Sequence, residues 1–132
     1  MPTWSQVLIQ ISESAQANGG EPQFDAIRRG YLNQLSNLTG RSTILYASDY
    51  LNPVKAGHQV MITSGDLQGL METVSGLPGP NLDLILHSPG GQAEATEMIV
   101  RYLRAKYTHI RVIVPFAAMS AATMWAMAAD EL

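Results

Sequence analysis

The chain has no cysteine. This excludes disulfides, thiolate metal sites and a cysteine nucleophile, and it leaves the redox compartment open. Charge is also sparse. Eight Lys and Arg against eleven Asp and Glu give a formal net charge of -3, and the basic residues are scattered, so there is no basic patch for nucleic acid. The N-terminal Met1-Pro2-Thr3-Trp4-Ser5 lacks a basic segment followed by an apolar one. No signal peptide is therefore expected, and the cytoplasm is the default location.

Long apolar runs are nearly absent too. The exception spans residues 110–129, broken only by Arg111, Pro115, Ser120 and Thr123, and its length approaches the roughly 20 residues of a membrane span. Its first third, Arg111-Val112-Ile113-Val114-Pro115, is β-branched and stops at proline, which favours a strand. The remainder, 120–129, is too short to cross a bilayer. A buried strand, turn and helix is the expectation, and no membrane association is indicated.

With 132 residues, one structural domain with a limited core is expected. Residues 1–40 read as a helical arm. A capping box, Thr3 with Gln6, opens a helix over 4–17, in which Trp4, Val7, Leu8, Ile11 and Ala15 share a face; Asn18-Gly19-Gly20 ends it. A second helix runs over 24–38 with Phe24, Ile27, Tyr31, Leu35 and Leu38 in helical spacing. The two apolar stripes require cover from the domain or from another subunit.

From residue 41 the pattern alternates between strand and helix. Strands are expected over 43–47 and 59–63, a short helix over 66–74 with Ser64 as N-cap, and a stop at Gly76-Leu77-Pro78-Gly79-Pro80. A strand over 82–86, interrupted only by Asp83, leads through Pro89-Gly90-Gly91 into an amphipathic helix that presents Ala95, Met98, Ile99, Tyr102 and Leu103 on one face. Glu94 and Glu97 near its start and Arg101, Arg104 and Lys106 near its end match the helix dipole. A strand over 110–114 and a helix over 120–129 close the chain. The strand-helix-strand unit implies a right-handed parallel crossover. The fold class is thus α/β, a mostly parallel sheet with flanking helices, and the carboxyl ends of its strands are where ligands bind in such sheets.

Two turns emerge at that edge: His87-Ser88-Pro89-Gly90-Gly91 and Ala118-Met119-Ser120-Ala121-Ala122. Together they supply what acyl transfer requires, a nucleophile held out of the sheet, Ser120, and two N–H donors for the developing oxyanion, Gly91 and Ala121. Ser88, Pro89 and Gly90 support the donor turn, and the small residues Ala117, Ala118, Ala121 and Ala122 allow tight packing. Taken singly, Pro-Gly-Gly also reads as a plain turn and Ser120 as an N-cap.

This pair resembles the signature of the Clp protease and crotonase superfamily. The closer resemblance is to the serine dehydrogenase proteinase family, relatives of signal peptide peptidase A. It is carried by Pro2-Thr3-Trp4, Arg28-Arg29 with Tyr31-Leu32, Thr39-Gly40-Arg41, residues 82–91, Ala95-Thr96-Glu97, and Val114-Pro115 through Met124. The resemblance implies Ser120 as nucleophile, the backbones of Gly91 and Ala121 as oxyanion hole, a peptide or protein substrate, no cofactor, and a symmetric homo-oligomer. Ala122 stands where many members have glycine. It further implies that the α/β domain at 41–132 is C-terminally incomplete, because members place the general base beyond this point.

A serine needs a base, and none is assigned. His87 reads as a structural, hydrogen-bonded histidine, His58 and His109 as solvated, Lys55 as a loop cation, Lys106 as a helix-end cation and Asp130 as exposed. Met119, Met124, Met127 and Trp125 read as core or subunit interface. Glu94 and Glu97 lack an accompanying histidine and read as dipole partners, not as metal ligands. Three functions stay open: a serine peptidase whose base comes from outside this segment or from another subunit, a truncated inactive remnant that oligomerises or binds peptides, and a crotonase-like thioester enzyme.

Overall fold

The computed structural model describes residues 2–55 and 59–132. The chain divides into two compact units, Met1–Leu38 and Thr39–Leu132. The first is a helical hairpin of α1 (Trp4–Ala17) and α2 (Phe24–Thr39). The capping box opens α1: Thr3 N–H donates to Gln6 Oε1 at 2.7 Å, and Gln6 N–H donates to Thr3 Oγ1 at 3.3 Å. Two bonds join the helices in antiparallel register, Gln23 N–H to Ser14 Oγ (2.9 Å) and Tyr31 Oη–H to Gln10 Oε1 (2.7 Å).

The second unit is α/β. Its strands β1 (Ser42–Ala47), β2 (Asn81–His87) and β3 (His109–Ile113) form a parallel sheet in the order β1-β2-β3. Helix α3 (Ser64–Ser75) connects β1 to β2, α4 (Ala93–Lys106) connects β2 to β3, and α5 (Ala121–Met127) follows β3. The strand period of two sends Leu82, Leu84 and Leu86 to one face. There they are fully buried with Val74 of α3, Ile99 and Leu103 of α4 and Trp125 of α5. Burying each such leucine contributes about 1.5–3 kcal/mol, so this layer fixes which way β2 faces.

The opposite face carries Asp83, wholly buried and the one polar residue within the apolar stretch 82–86. Arg41 Nε lies 2.5 Å from one carboxylate oxygen and Arg111 binds both, at 3.0 and 2.6 Å. The two arginines come from the start of β1 and from β3, so a single carboxylate ties all three strands. After α5 the chain returns beside β3: Val112 N–H donates to Glu131 (2.9 Å) and Asp130 N–H to Ile110 (2.8 Å). The Asp130 carboxylate accepts from Ile110 N–H and from Arg104. Those two bonds, the arginine first, hold its carboxyl down to about 2.

Several expectations need correction. No regular strand forms at 59–63 among the described residues, where only Ile62 pairs, in an isolated parallel bridge with Gly91. The N-cap of α3 is Thr63, with Ser64 inside the helix. Thr63 N–H donates to Asp66 Oδ2 at 2.6 Å, and that carboxylate fixes the helix start one residue earlier. Helix α5 is shorter than 120–129. Among the described residues no helix is long and apolar enough to cross a membrane.

Candidate active site

The two turns at the carboxyl edge are stitched together by Ser88, which is wholly buried. Its N–H donates to Ala117 and its carbonyl accepts from Met119 N–H, both at 3.1 Å, while its hydroxyl oxygen accepts from Gly90 N–H at 3.1 Å. Every polar group of this buried serine is thereby used, as buried polar groups must be. The exit of β2 and the segment leading to Ser120 are thus locked in register.

Gly90 brings the turns into contact. Its φ is +102°, and a Cβ there would stand 2.6 Å from Met119 O, 2.7 Å from Ser120 Cβ and 3.1 Å from Ala121 N. Only glycine allows the Ser120 turn to sit this close. Gly91, at φ +157°, lies on the backbone of Ile62, which a Cβ would strike. Ile62 N–H donates to Gly90 O (2.8 Å), and Gln92 N–H donates to Ile62 O (2.9 Å). In a parallel bridge of this kind the central residue's own N–H points to the other side. Gly91 N–H accordingly has no acceptor among the described residues. Ile62 is therefore a frame for the Gly90-Gly91 turn. The sequence showed only a short apolar run there, and the bridge is a long-range pairing with no local signal.

Ser120 occupies the N-cap position of α5, but it does not behave as a cap. Its φ is 52° and ψ is -125°, its side chain makes no capping bond, and it is the only non-glycine residue at positive φ among those described. An ordinary cap has β-region backbone and a bonded side-chain oxygen. The Ser120 carbonyl still accepts the first helical bonds, from Thr123 N–H (2.9 Å) and Met124 N–H (3.3 Å), and the residue is exposed. Backbone strain of this type costs about 1–3 kcal/mol and persists only where surroundings enforce it. Ala121 and Ala122, both buried, anchor the turn from below. The N–H of Ala121, like that of Gly91, has no acceptor among the described residues.

Among the described residues no base accompanies Ser120, and its hydroxyl has no hydrogen-bond partner there. His87 packs between the rings of Tyr50 (5.0 Å) and Phe116 (5.6 Å). Its buried Nδ1 has no partner among the described residues, so it is held by stacking and not by the hydrogen bond expected of it. His109 is only partly solvated. Its Nδ1 is 3.0 Å from Arg41 and its Nε2 3.2 Å from Glu131. Lys55 pairs with Asp49 at 3.1 Å, Lys106 reaches the Val74 carbonyl, and Asp130 is exposed and bound to Arg104. His58 lies outside the described residues. Glu97 pairs with Arg101 at 2.7 Å.

Trp125 is core, edge-on to Tyr46 at 5.1 Å. Met119, Met124 and Met127 are exposed, which corrects the core reading for the methionines. At the end of β1 a recess of about 290 Å³ is lined by Tyr46, Asp49, Lys55 and Asp66 among others. Burial, and then the neighbouring Asp66 carboxylate, push the Tyr46 phenol upward, so it stays protonated.

The family model of ClpP-like SDH-type serine proteinases matches residues 61–132, which include both turns. Among curated proteins, the uncharacterized protein MJ0137 of Methanocaldococcus jannaschii is 31% identical over 113 residues, covering 83% of this chain and 40% of that protein. The uncharacterized protein MJ1495 of the same organism is 45% identical over 51 residues, 39% of this chain and 18% of that protein. The chain thus spans less than half the length of either relative. No solved structure matches it.

Proposed function

The chain belongs to the ClpP-like SDH-type serine proteinase family, and from that premise we propose that Ser120 is the nucleophile of a serine peptidase. In this reading Ser120 Oγ bonds to a peptide carbonyl carbon while the carbonyl π pair moves onto oxygen. The N–H groups of Gly91 and Ala121 hold that oxyanion, and the hydroxyl proton passes to a base from outside this segment or from another subunit. Collapse of the adduct expels the amine, which takes up a proton, and water then releases the acyl group. Losing one oxyanion donor raises such a barrier by about 2.7–4 kcal/mol.

The observation that carries the reading is the backbone of Ser120. Its positive φ holds an exposed serine whose Cβ lies close to Gly90, with no structural bond from its side chain to account for the strain. The substrate is a peptide or protein, the working form a homo-oligomer and the location the cytoplasm. The test is labelling with a fluorophosphonate probe, comparing wild type with Ser120→Ala. The peptidase reading expects an adduct on wild type and none on the variant. Equal labelling of both overturns it, and no labelling of either means that this segment by itself is not an active serine enzyme and favours a peptide-binding module without chemistry.

A further inference from the structure

We propose that Thr123 is the positioning residue of the Ser120 turn, its hydroxyl tying the chain before Ser120 to the helix after it and leaving the serine's own hydroxyl free to react. The catalytic part of this rests on Ser120 being the nucleophile; the geometric part does not. Thr123 stands three residues into α5 from Ser120. In an ordinary capping box that side chain reaches back to the N-cap backbone, and the N-cap hydroxyl accepts from the N–H of the same residue. Here both bonds go elsewhere. Thr123 N–H donates to the Ser120 carbonyl at 2.9 Å, and the Thr123 hydroxyl donates past Ser120 to the Ala118 carbonyl at 2.8 Å. This is not the routine bond of a helical threonine to the carbonyl four residues back. That carbonyl belongs to Met119 and accepts from Ala122 N–H at 3.0 Å.

The Ala118 carbonyl needs such a donor. Ala118 pairs with Ser88 in an isolated parallel bridge, in which Ser88 bonds to residues 117 and 119. The N–H and C=O of Ala118 itself therefore point away from β2, and among the described residues Thr123 is the carbonyl's one partner. The segment entering Ser120 is thus held twice, by Ser88 on the sheet side and by Thr123 on the helix side. Between the two holds stands the only non-glycine residue at positive φ among those described. Strain of that kind persists only where surroundings over-determine it, and the Ser120 side chain makes no capping bond of its own. One neutral hydrogen bond moves a conformational equilibrium by roughly twofold to tenfold, so removing it is enough to change how far the strained form is populated. All of these groups lie within Thr39–Leu132, and none belongs to the helical hairpin.

The experiment compares the whole chain with Thr123→Val, which keeps the β-branched shape and removes the hydroxyl, and with Thr123→Ser, which keeps the hydroxyl. Thr123 is an exposed residue, so both variants are expected to fold. The first readout needs no chemistry. A positive φ brings the amide and α protons of Ser120 close together, and their strong NOE cross-peak is expected in wild type and Thr123→Ser and weakened in Thr123→Val. The second is the rate of fluorophosphonate labelling against probe concentration. Thr123→Val is expected to lower the maximal rate about tenfold with the half-saturating concentration unchanged, the pattern of a group that acts on the reacting geometry. Thr123→Ser is expected to recover most of that rate. A cross-peak of full strength in Thr123→Val would overturn the proposal, as would an unchanged labelling rate in that variant or a Thr123→Ser as slow as Thr123→Val. If wild type takes up no probe, the nucleophile reading fails for this segment, and the cross-peak alone decides whether Thr123 holds the turn.

Discussion

Gly90→Ala tests how the two turns are held together. Two costs add. An L-residue at positive φ costs roughly 1–2 kcal/mol, and the new methyl group meets Met119 O and Ser120 Cβ at 2.6 and 2.7 Å, well inside contact distance. Overpacking of this kind costs about 1–3 kcal/mol, which brings the total to about 2–5 kcal/mol. Gly40 provides the control. It also has positive φ, at +67°, but a Cβ there would meet nothing within 4 Å, so Gly40→Ala should cost only the backbone part, about 1–2 kcal/mol. Urea denaturation followed by the fluorescence of buried Trp125, in a Trp4→Phe background, measures both. The reasoning is refuted if the two alanines destabilise equally. Any shift that the Gly90 variant forces on Ser120 also predicts slower probe labelling, because a displacement of about 1 Å can cost on the order of 100-fold in rate.

Ser120→Gly should be no less stable than Ser120→Ala, because relief of about 1–3 kcal/mol of strain outweighs or matches the ~0.5–1 kcal/mol entropic cost of glycine; a lower denaturation midpoint for the glycine variant would contradict this. Asp83→Ala should destabilise by about 3–5 kcal/mol, since it leaves two arginines facing a buried site with no anion; a urea midpoint unchanged from wild type would show that the carboxylate is not the tie between strands. Asp130 makes stability depend on pH. Its folded carboxyl is depressed from 3.8 to about 2, so its contribution is complete above the ordinary value and drains away as pH falls from there toward 2. Asp130→Asn should flatten the stability profile across that window, and identical slopes in the two proteins would argue against the Arg104 and Ile110 bonds.

What the sequence made legible was local. The capping box at Thr3 and Gln6 and the apolar period of α1, α2 and α4 depend on residues three or four apart, and those helices form close to where the spacing puts them. The parallel order of β2 and β3 followed from the length of the crossover. Long-range pairings were not legible. Nothing near Ile62 in the chain says that it will frame Gly91, and Asp83 announced itself only as a lone acid in an apolar strand, without naming Arg41 or Arg111 as partners. His87 and His109 were misread because stacking and charge contacts come from elements far away in sequence. The turn motifs at Gly90 and Ser120 were visible as residue types, but their direct contact and the positive φ of Ser120 needed three dimensions.

The central claim is that Gly91 and Ala121 hold an oxyanion formed on Ser120. The most direct measurement is the amide proton shift of those two residues in ¹H–¹⁵N spectra when a peptide boronate is added to wild type and to Ser120→Ala. The account predicts that both amides move downfield in wild type as a tetrahedral adduct forms, with no such change in the variant. An adduct that leaves either amide where it was, or no adduct on Ser120 at all, would contradict it.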